Sequence, residues 1–528
     1  MSHPMHEHGG HSVRTLNPAD PNAPFGRGIS PFLEDAHAPI FEEKTITDMA
    51  VVGDLPRDLN GVYLRNGPNQ TVKPIKNYHW FDGDGMLHAA HFERGKITYR
   101  NRWIRTDALA EETAARKAKF YSVFEANKDN TQRRIKDSAN TDIVFHGGKG
   151  IALWYLAGDP YEFDPLTLDT LGKTDFSVRA GLKVSAHAKV DEDTNELLFF
   201  DYEAKHPFMT YGVVGADGKL KHSTPIVLPG PRLPHDMGIT KSHSILHDLP
   251  LYQDMDAWNK GRHRIVFNPD LPARFAVIPR YGDAKSIRWF EAEPCFIYHV
   301  VNCWDEPDAV VMIGCRYGMG TDKDKVAKQV ANLAMDAKLY KWRFDLKTGK
   351  TTEGPIERAM NLEFPTSPTA LNGTRTRYSY CVTMVEDPVP RFSGIVKHDL
   401  HSGAFQAWSD GRGIYYSEPW FAPSDDHKAE DDGYVVAFAY NAPADRSEIH
   451  VFDAREIGRG PRARITVPTR VPAGFHATWV KATQMRGGVN GDVQLQRRFD
   501  HIHCSGASRI QASNCTCMAA VAAWISAP

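Results

Sequence analysis

From Ile46 to about residue 480 the chain is written in short strand-forming runs closed by turn chemistry. Examples are GVYLRNG (61–67), ELLFFDYE (196–203), AVVMIGCRYG (309–318) and YVVAFAY (434–440). Several are apolar on both faces, as strands buried within stacked sheets are. Between them a loose turn phrase recurs: FDPLTLDTLG (163–172), VDEDTNE (190–196), FDLKTGK (344–350), HDLHSGAF (398–405) and FDAREIG (452–458). In each, an Asp follows an apolar residue or His, and a Thr, Ser or Gly closes the turn. The outer hairpin of a repeated four-stranded sheet reads this way. The repetition favours one large radial β architecture over several separate domains.

Charge and hydropathy narrow the function classes. Lysine and arginine number 63 against 65 acidic residues, a formal charge of −2, which excludes a globally basic nucleic-acid binder. No apolar stretch reaches the roughly 18 residues of a membrane-spanning helix. The opening MSHPMHEHGGHS has no apolar core of a secretory signal. Seven cysteines, an odd number in so long a chain, do not make a disulfide framework. The expectation is a cytoplasmic protein in a reducing compartment, touching membranes at most transiently at their surface.

Residues 1–40, rich in His, Pro, Gly and Asn, read as a mobile N-terminal arm that becomes an extended wrap near Phe32. Its His3, His6, His8 and His11 fit a disordered tract better than a metal site. Residues 41–486 read as the β domain. Residues 487–528, with HIHC (501–504) and NCTC (514–517), read as an atypical, poorly ordered C-terminal tail. Two segments carry a helical pattern. In KDKVAKQVANLAMDAKLY (323–340), Val326, Val330, Leu333 and Ala337 share a face, and ALAEETAARKAKF (108–120) is similar. Both are expected to cap the sheets.

No phosphate-cradling GxxxxGK[ST], GxSxG elbow, HExxH or paired C-x-x-C zinc motif is present. The histidines do show a pattern. His187 (VSAHAKVD), His235 (RLPHDMGIT), His299 (CFIYHVVNCWDE) and His476 (PAGFHATWV) each sit in a strand-like or turn-bounded segment. Taken singly, each reads as a satisfied core histidine. Their spacings of 48, 64 and 177 residues approximate one, one and three repeats of a four-stranded unit. In a radial array, inner-strand residues at such intervals face the axis. Four imidazoles meeting there would form a metal site with no carboxylate ligand.

At this point the chain resembles the carotenoid cleavage oxygenases, a family that includes stilbene-cleaving enzymes. The resemblance rests on NGVYLRNGPN (60–69), HWFDGDGMLHAAHFERGKITYRNRW (79–103), SANTDIVFHGG (138–148), PYEFDPLTLDTLG (160–172), AHAKVD (186–191), HDMGIT (235–240), IYHVVNCW (297–304), LEFP (362–365), SEPWF (417–421), AEDDG (429–433) and GFHATWV (474–480). These appear in family order over about residues 46–480.

The resemblance implies an all-β, seven-bladed β-propeller with a helical or loop cap over its axis. It implies Fe(II) on that axis, held by His187, His235, His299 and His476, with O2 as co-substrate. It also implies that Glu363 orients His299 and Glu418 orients His476. A third orienting Glu is usual in the family, but IALWYLAGDPYEFDP has Tyr155 in its place. Either Tyr155 or water then holds His235, or Asp159 reaches in. Thr141 matches a threonine whose methyl lies near one open iron position.

The family reaction inserts oxygen into a conjugated C=C bond of a hydrophobic alkene and yields two carbonyl products. Stilbene-cleaving members carry Lys where this chain has Trp154, so the expected substrate is a carotenoid or apocarotenoid. A stilbene or phenylpropanoid cleaver is the alternative, and retinoid isomerase chemistry is more distant. The non-enzymatic alternative is a catalytically inactive β-propeller binding module. Phe81, Trp103, Phe124 and Trp304 are candidates to line a substrate tunnel, against the commoner role of aromatics as core.

Overall fold

The computed structural model describes residues 28–487 apart from 125–135, 177–182, 204, 260–263, 320–332, 334–335, 386–388 and 412, together with the backbone of His6–His8 and His11–Thr15. Seven antiparallel sheets of four or more strands follow one another along the chain as the blades of a β-propeller. The first strands of blades two to six are Asp142–His146, Lys189–Asp191, Gly238–Ile239, Phe296–Glu306 and Leu362–Thr366. In the seventh blade, Ile414–Tyr416 and Trp420–Pro423 both pair with Gly433–Asn441. Innermost strands touch between the first and second, second and third, fourth and fifth, fifth and sixth, and seventh and first blades, which sets them around the axis.

The ring is closed twice, once from each direction. Ala477–Lys481 becomes the innermost strand of the first blade by pairing with Gly61–Pro68. Val51–Gly53 becomes the outermost strand of the seventh blade by pairing with Pro461–Val467. Each terminal blade is thus completed by a strand from the opposite end of the β domain.

Apolar residues on both strand faces serve the contacts between blades. Ala309–Tyr317 is buried at every position but one. One core cluster joins the fourth and fifth blades through Phe275, Phe290, Met312 and Trp342. Another joins the first and seventh through Tyr63, Tyr99, Val436 and Ile449.

The repeated Asp phrases are turns in which the carboxylate caps backbone N–H groups. Asp164 Oδ1 accepts from Leu166 and Thr167, Asp345 Oδ1 from Lys347 and Thr348, and Asp399 Oδ1 from His401 and Ser402. Asp453 Oδ1 accepts from Arg455. These four phrases join the third and fourth strands of their blades, as expected for outer hairpins. VDEDTNE differs: it joins the first strand of the third blade to its second, so it is an inner hairpin.

The helical expectation at 108–120 corresponds to a helix at Asp107–Ala115, capped by Thr106, whose Oγ1 accepts the Leu109 N–H at 3.1 Å. The expectation at 323–340 is corrected where it is described. Ala337–Asp345 is a strand that buries Ala337, Leu339, Trp342 and Phe344. The alternation in AKLYKWRFD has a period near two, and packing between blades selects it. Val326 and Val330 lie outside the described residues.

Within the N-terminal arm, Phe32 and Leu33 are buried in the short turn Pro31–Leu33, and Ser30 Oγ donates to the Tyr78 carbonyl at 2.8 Å. His11–Thr15 pairs with Glu42–Ile46. HIHC, NCTC and the rest of 488–528 lie outside the described residues. Cys295, Cys303, Cys315 and Cys381 are buried free thiols. Among the described residues no helix is long and apolar enough to cross a membrane.

Candidate metal centre

Each of the four histidines stands at or just before the start of an innermost strand. His187 precedes Lys189–Asp191, His235 precedes Gly238–Ile239, His299 lies near the start of Phe296–Glu306, and His476 abuts Ala477–Lys481. One potential ligand atom from each ring lies within 4.8 Å of the others. Ring centroids are 4.4 Å apart for His187 and His476, 4.8 Å for His187 and His235, and 4.6 Å for His299 and His476. Nε2 of His187 and of His299 is buried with no hydrogen-bond partner among the described residues. Buried, unpartnered nitrogens converging on one point are what a metal ion would satisfy.

Electrostatics keep most of these rings in the ligating form. Burial, and then the neighbouring imidazoles, hold His187, His235 and His299 well below the usual histidine range. For His476 burial acts the same way and is the largest single cause, but the Glu418 carboxylate beside it and the charges of Asp142 and Asp236 together raise the ring.

Carboxylates reach three rings from neighbouring blades. Glu363, on the first strand of the sixth blade, hydrogen-bonds His299 Nδ1 through Oε2. Its Oε1 accepts the Tyr317 O–H at 2.7 Å, and Oε2 also accepts the Phe364 N–H at 2.7 Å. Burial pushes Glu363 up to about 7, against the pull of those two donors. Glu418, in the seventh blade, has Oε1 3.1 Å from His476 Nδ1, and its Oε2 accepts the Ala477 N–H.

The third carboxylate was not anticipated from the sequence. Asp142 Oδ2 accepts the His187 backbone N–H at 2.9 Å and lies 3.3 Å from His187 Nδ1. The available signal was an acidic residue directly after Thr141 in SANTDIV. Among the described residues no carboxylate reaches His235; its ring meets Tyr298 edge-on at 4.7 Å and lies 6.4 Å from that of Tyr155. Asp159 does not reach in, because it pairs with Lys173 and Lys183.

Residues 37–481 match the family described as Retinal pigment epithelial membrane protein. The chain belongs to that family, the carotenoid cleavage oxygenases. It is 34% identical over 497 residues to carotenoid 9,10(9′,10′)-cleavage dioxygenase 1 of Pisum sativum, covering 86% of this chain and 91% of that one. It is 30% identical over 468 residues to isoeugenol monooxygenase of Pseudomonas nitroreducens, covering 83% and 95%. Among solved structures, Pseudomonas brassicacearum lignostilbene dioxygenase superposes with a TM-score of 0.78 at 29% identity, over 86% of this chain and 99% of that one.

Two cavities meet at the histidines of this carotenoid cleavage oxygenase. One is walled by Phe81, Tyr155, Tyr298, Phe364, Phe392 and Phe475 and exposes His235, His299 and His476. Thr141 borders it. Its hydroxyl donates to Asn140 Oδ1 at 3.0 Å and accepts the Tyr155 N–H at 3.2 Å, so the methyl is the unengaged part of the side chain. The second cavity touches His187, His299 and His476 and carries Lys189, Glu192 and Asp236.

Of the aromatics proposed for a tunnel, Phe81 lines the apolar cavity, and Phe124 packs 6.4 Å from Phe81. Trp103 is buried against Met86 and Leu109, and Trp304 among Val311 and Leu339, so both are core. Trp154 is buried and does not line the cavity; its neighbour Tyr155 does.

Proposed function

We propose that this protein is a non-haem Fe(II)-dependent dioxygenase that cleaves a conjugated C=C bond of a carotenoid or apocarotenoid into two carbonyl products. The observation that carries the reading is four imidazoles converging within 4.8 Å beside an aromatic cavity. The relatives' names, a carotenoid cleavage dioxygenase among them, support it. The four buried thiols support a reducing, cytoplasmic setting.

His187, His235, His299 and His476 would hold the metal as neutral donors. Bound ferrous iron would supply oxygen activation at positions the imidazoles leave open. Glu363 and Glu418 fix the tautomer and tilt of two rings, so Nδ1–H points away from the centre and Nε2 toward it. Thr141 lines the same cavity as His235 and His476, with its hydroxyl engaged elsewhere and its methyl left to narrow that space. Phe81, Phe364 and Phe475 flatten a polyene against the centre and exclude water from it. Adding O2 across C=C to give two C=O groups moves no net proton, so no acid–base pair is required. In keeping with this, the one carboxylate among the described residues of the cavity wall, Glu363, is already committed to His299 and Tyr317.

A second reading, cleavage of a stilbene or phenylpropanoid, draws on Tyr155 and Tyr298 in the cavity wall and on the lignostilbene dioxygenase likeness. One panel separates the readings. Iron-loaded protein is incubated with an apocarotenal, a full-length carotenoid, resveratrol and isoeugenol, and aldehyde products are measured. Cleavage of the apocarotenal is expected. Cleavage of resveratrol or isoeugenol alone moves the assignment to the second reading. Less than one iron per chain after anaerobic Fe(II) reconstitution, with no product, makes the protein a binding module.

A further inference from the structure

We infer that Asp142 is the positioning residue for His187, a ligand that neither Glu363 nor Glu418 reaches; the inference rests on the metal-centre reading above. Three observations carry it.

The first is the repeated geometry of the carboxylates. Glu418 hydrogen-bonds His476 Nδ1 with one oxygen and takes the adjacent Ala477 backbone N–H with the other. Asp142 reaches the same two groups of His187 with a single oxygen: Oδ2 accepts the backbone N–H at 2.9 Å and lies 3.3 Å from Nδ1. In each case, as with Glu363 and His299, the carboxylate lies on a blade next to that of its histidine.

The second is that Asp142 has no competing partner. It is buried, and among the described residues no lysine or arginine pairs with it. Oδ1 accepts the Ile143 N–H at 2.7 Å, which fixes the carboxylate's orientation and leaves Oδ2 for His187. A buried carboxylate needs donors, and the His187 ring and main chain supply them.

The third is strain at the ligand itself. His187 has φ 66°, in the left-handed region that costs a side-chain-bearing residue energy. A contact from Asp142 to both its backbone and its ring is what holds such a conformation in place. His235, by contrast, is wedged by aromatic edges, so the three carboxylates serve His187, His299 and His476.

The test separates a merely structural cap from a positioning role. Wild type and Asp142→Asn are stripped of metal and titrated anaerobically with Co(II), reading the dissociation constant and the visible d–d bands. The amide oxygen of Asn can still accept the His187 N–H, so a backbone cap alone predicts wild-type affinity and spectrum. Positioning by the carboxylate predicts Co(II) binding about 10–100-fold weaker with altered bands. Unchanged affinity and bands in Asp142→Asn overturn the inference. Failure of the wild type to bind Co(II) overturns the metal-centre reading itself. If Asp142→Asn does not fold, the Co(II)-loaded wild type decides by proton NMR. An exchange-protected His187 Nδ1–H resonance supports the inference, and rapid solvent exchange at that site overturns it.

Discussion

Glu363 and His299 sit on neighbouring blades, yet one carboxylate oxygen closes directly on Nδ1 of the ring while Tyr317 holds the other from 2.7 Å. The carboxylate is therefore pinned before it orients the imidazole. Glu363→Gln keeps the volume and loses the charge, so metal affinity is expected to fall about 10–100-fold. Tyr317→Phe should cost less, since Phe364 N–H still anchors the carboxylate. His299→Ala should abolish both metal binding and turnover. Metal titration by calorimetry, run beside product assays, checks all three.

Metal removal should destabilise the fold. Nε2 of His187 and His299 is buried without a partner among the described residues, and an ion binding only the native state stabilises it by mass action. At one hundred times the dissociation constant the gain is about 2.7 kcal/mol. Scanning calorimetry with chelator should show a lower Tm, restored by Fe(II) under anaerobic conditions. An unchanged Tm would mean the four rings hold no ion.

Gly474 cannot carry a side chain. A Cβ there would fall 1.9 Å from Arg65 Nη1 and 2.8 Å from the Asn66 carbonyl oxygen. Arg65 is 1% exposed and donates to the Pro472 carbonyl at 2.7 Å, so it has nowhere to retreat. Gly474→Ala should cost about 1–3 kcal/mol in urea unfolding. Because His476 is two residues on, metal affinity should drop as well.

His247 ties stability to acid. Both ring nitrogens lack a hydrogen-bond partner among the described residues, and burial, then the Lys189 charge, brings the ring down to about 3. The unfolded chain protonates it near 6.5 and the folded one does not, so protons favour unfolding. Its contribution is complete above about pH 6.5, is lost progressively as pH falls, and is gone below about 3, at on the order of 1 kcal/mol per pH unit. His247→Phe should flatten the stability–pH profile between pH 6.5 and 4. Denaturant melts at several pH values measure the slope.

What the sequence displayed most clearly was whatever recurs with the blade. The four histidines were legible because each opens an innermost strand, and the Asp turns because a capped hairpin needs that chemistry at one end of a strand. Asp142 was not legible as a partner of His187, since the two meet only when the second blade packs against the third. Asp159 lies close to Tyr155 in sequence, but two lysines draw it outward. Successive side chains of an extended segment point to opposite faces, so Tyr155 enters the cavity and Trp154 turns away from it. The segment ending at Asp345 shows the complementary limit: a weak apolar spacing of about 3.6 yields to the alternation that blade packing rewards.

The pairing of Ala477–Lys481 with Gly61–Pro68 also sets an order of events. A chain emerging from the ribosome has already produced His187, His235 and His299 before the strand that follows His476 exists. Until that strand returns to the first blade, the nascent polypeptide has three of its four donors and no closed circle to hold them. Capture of a metal by all four rings is thereby deferred until the strand after His476 has been made, and a product ending before Phe475 would carry most of the blades with only three of the four donors.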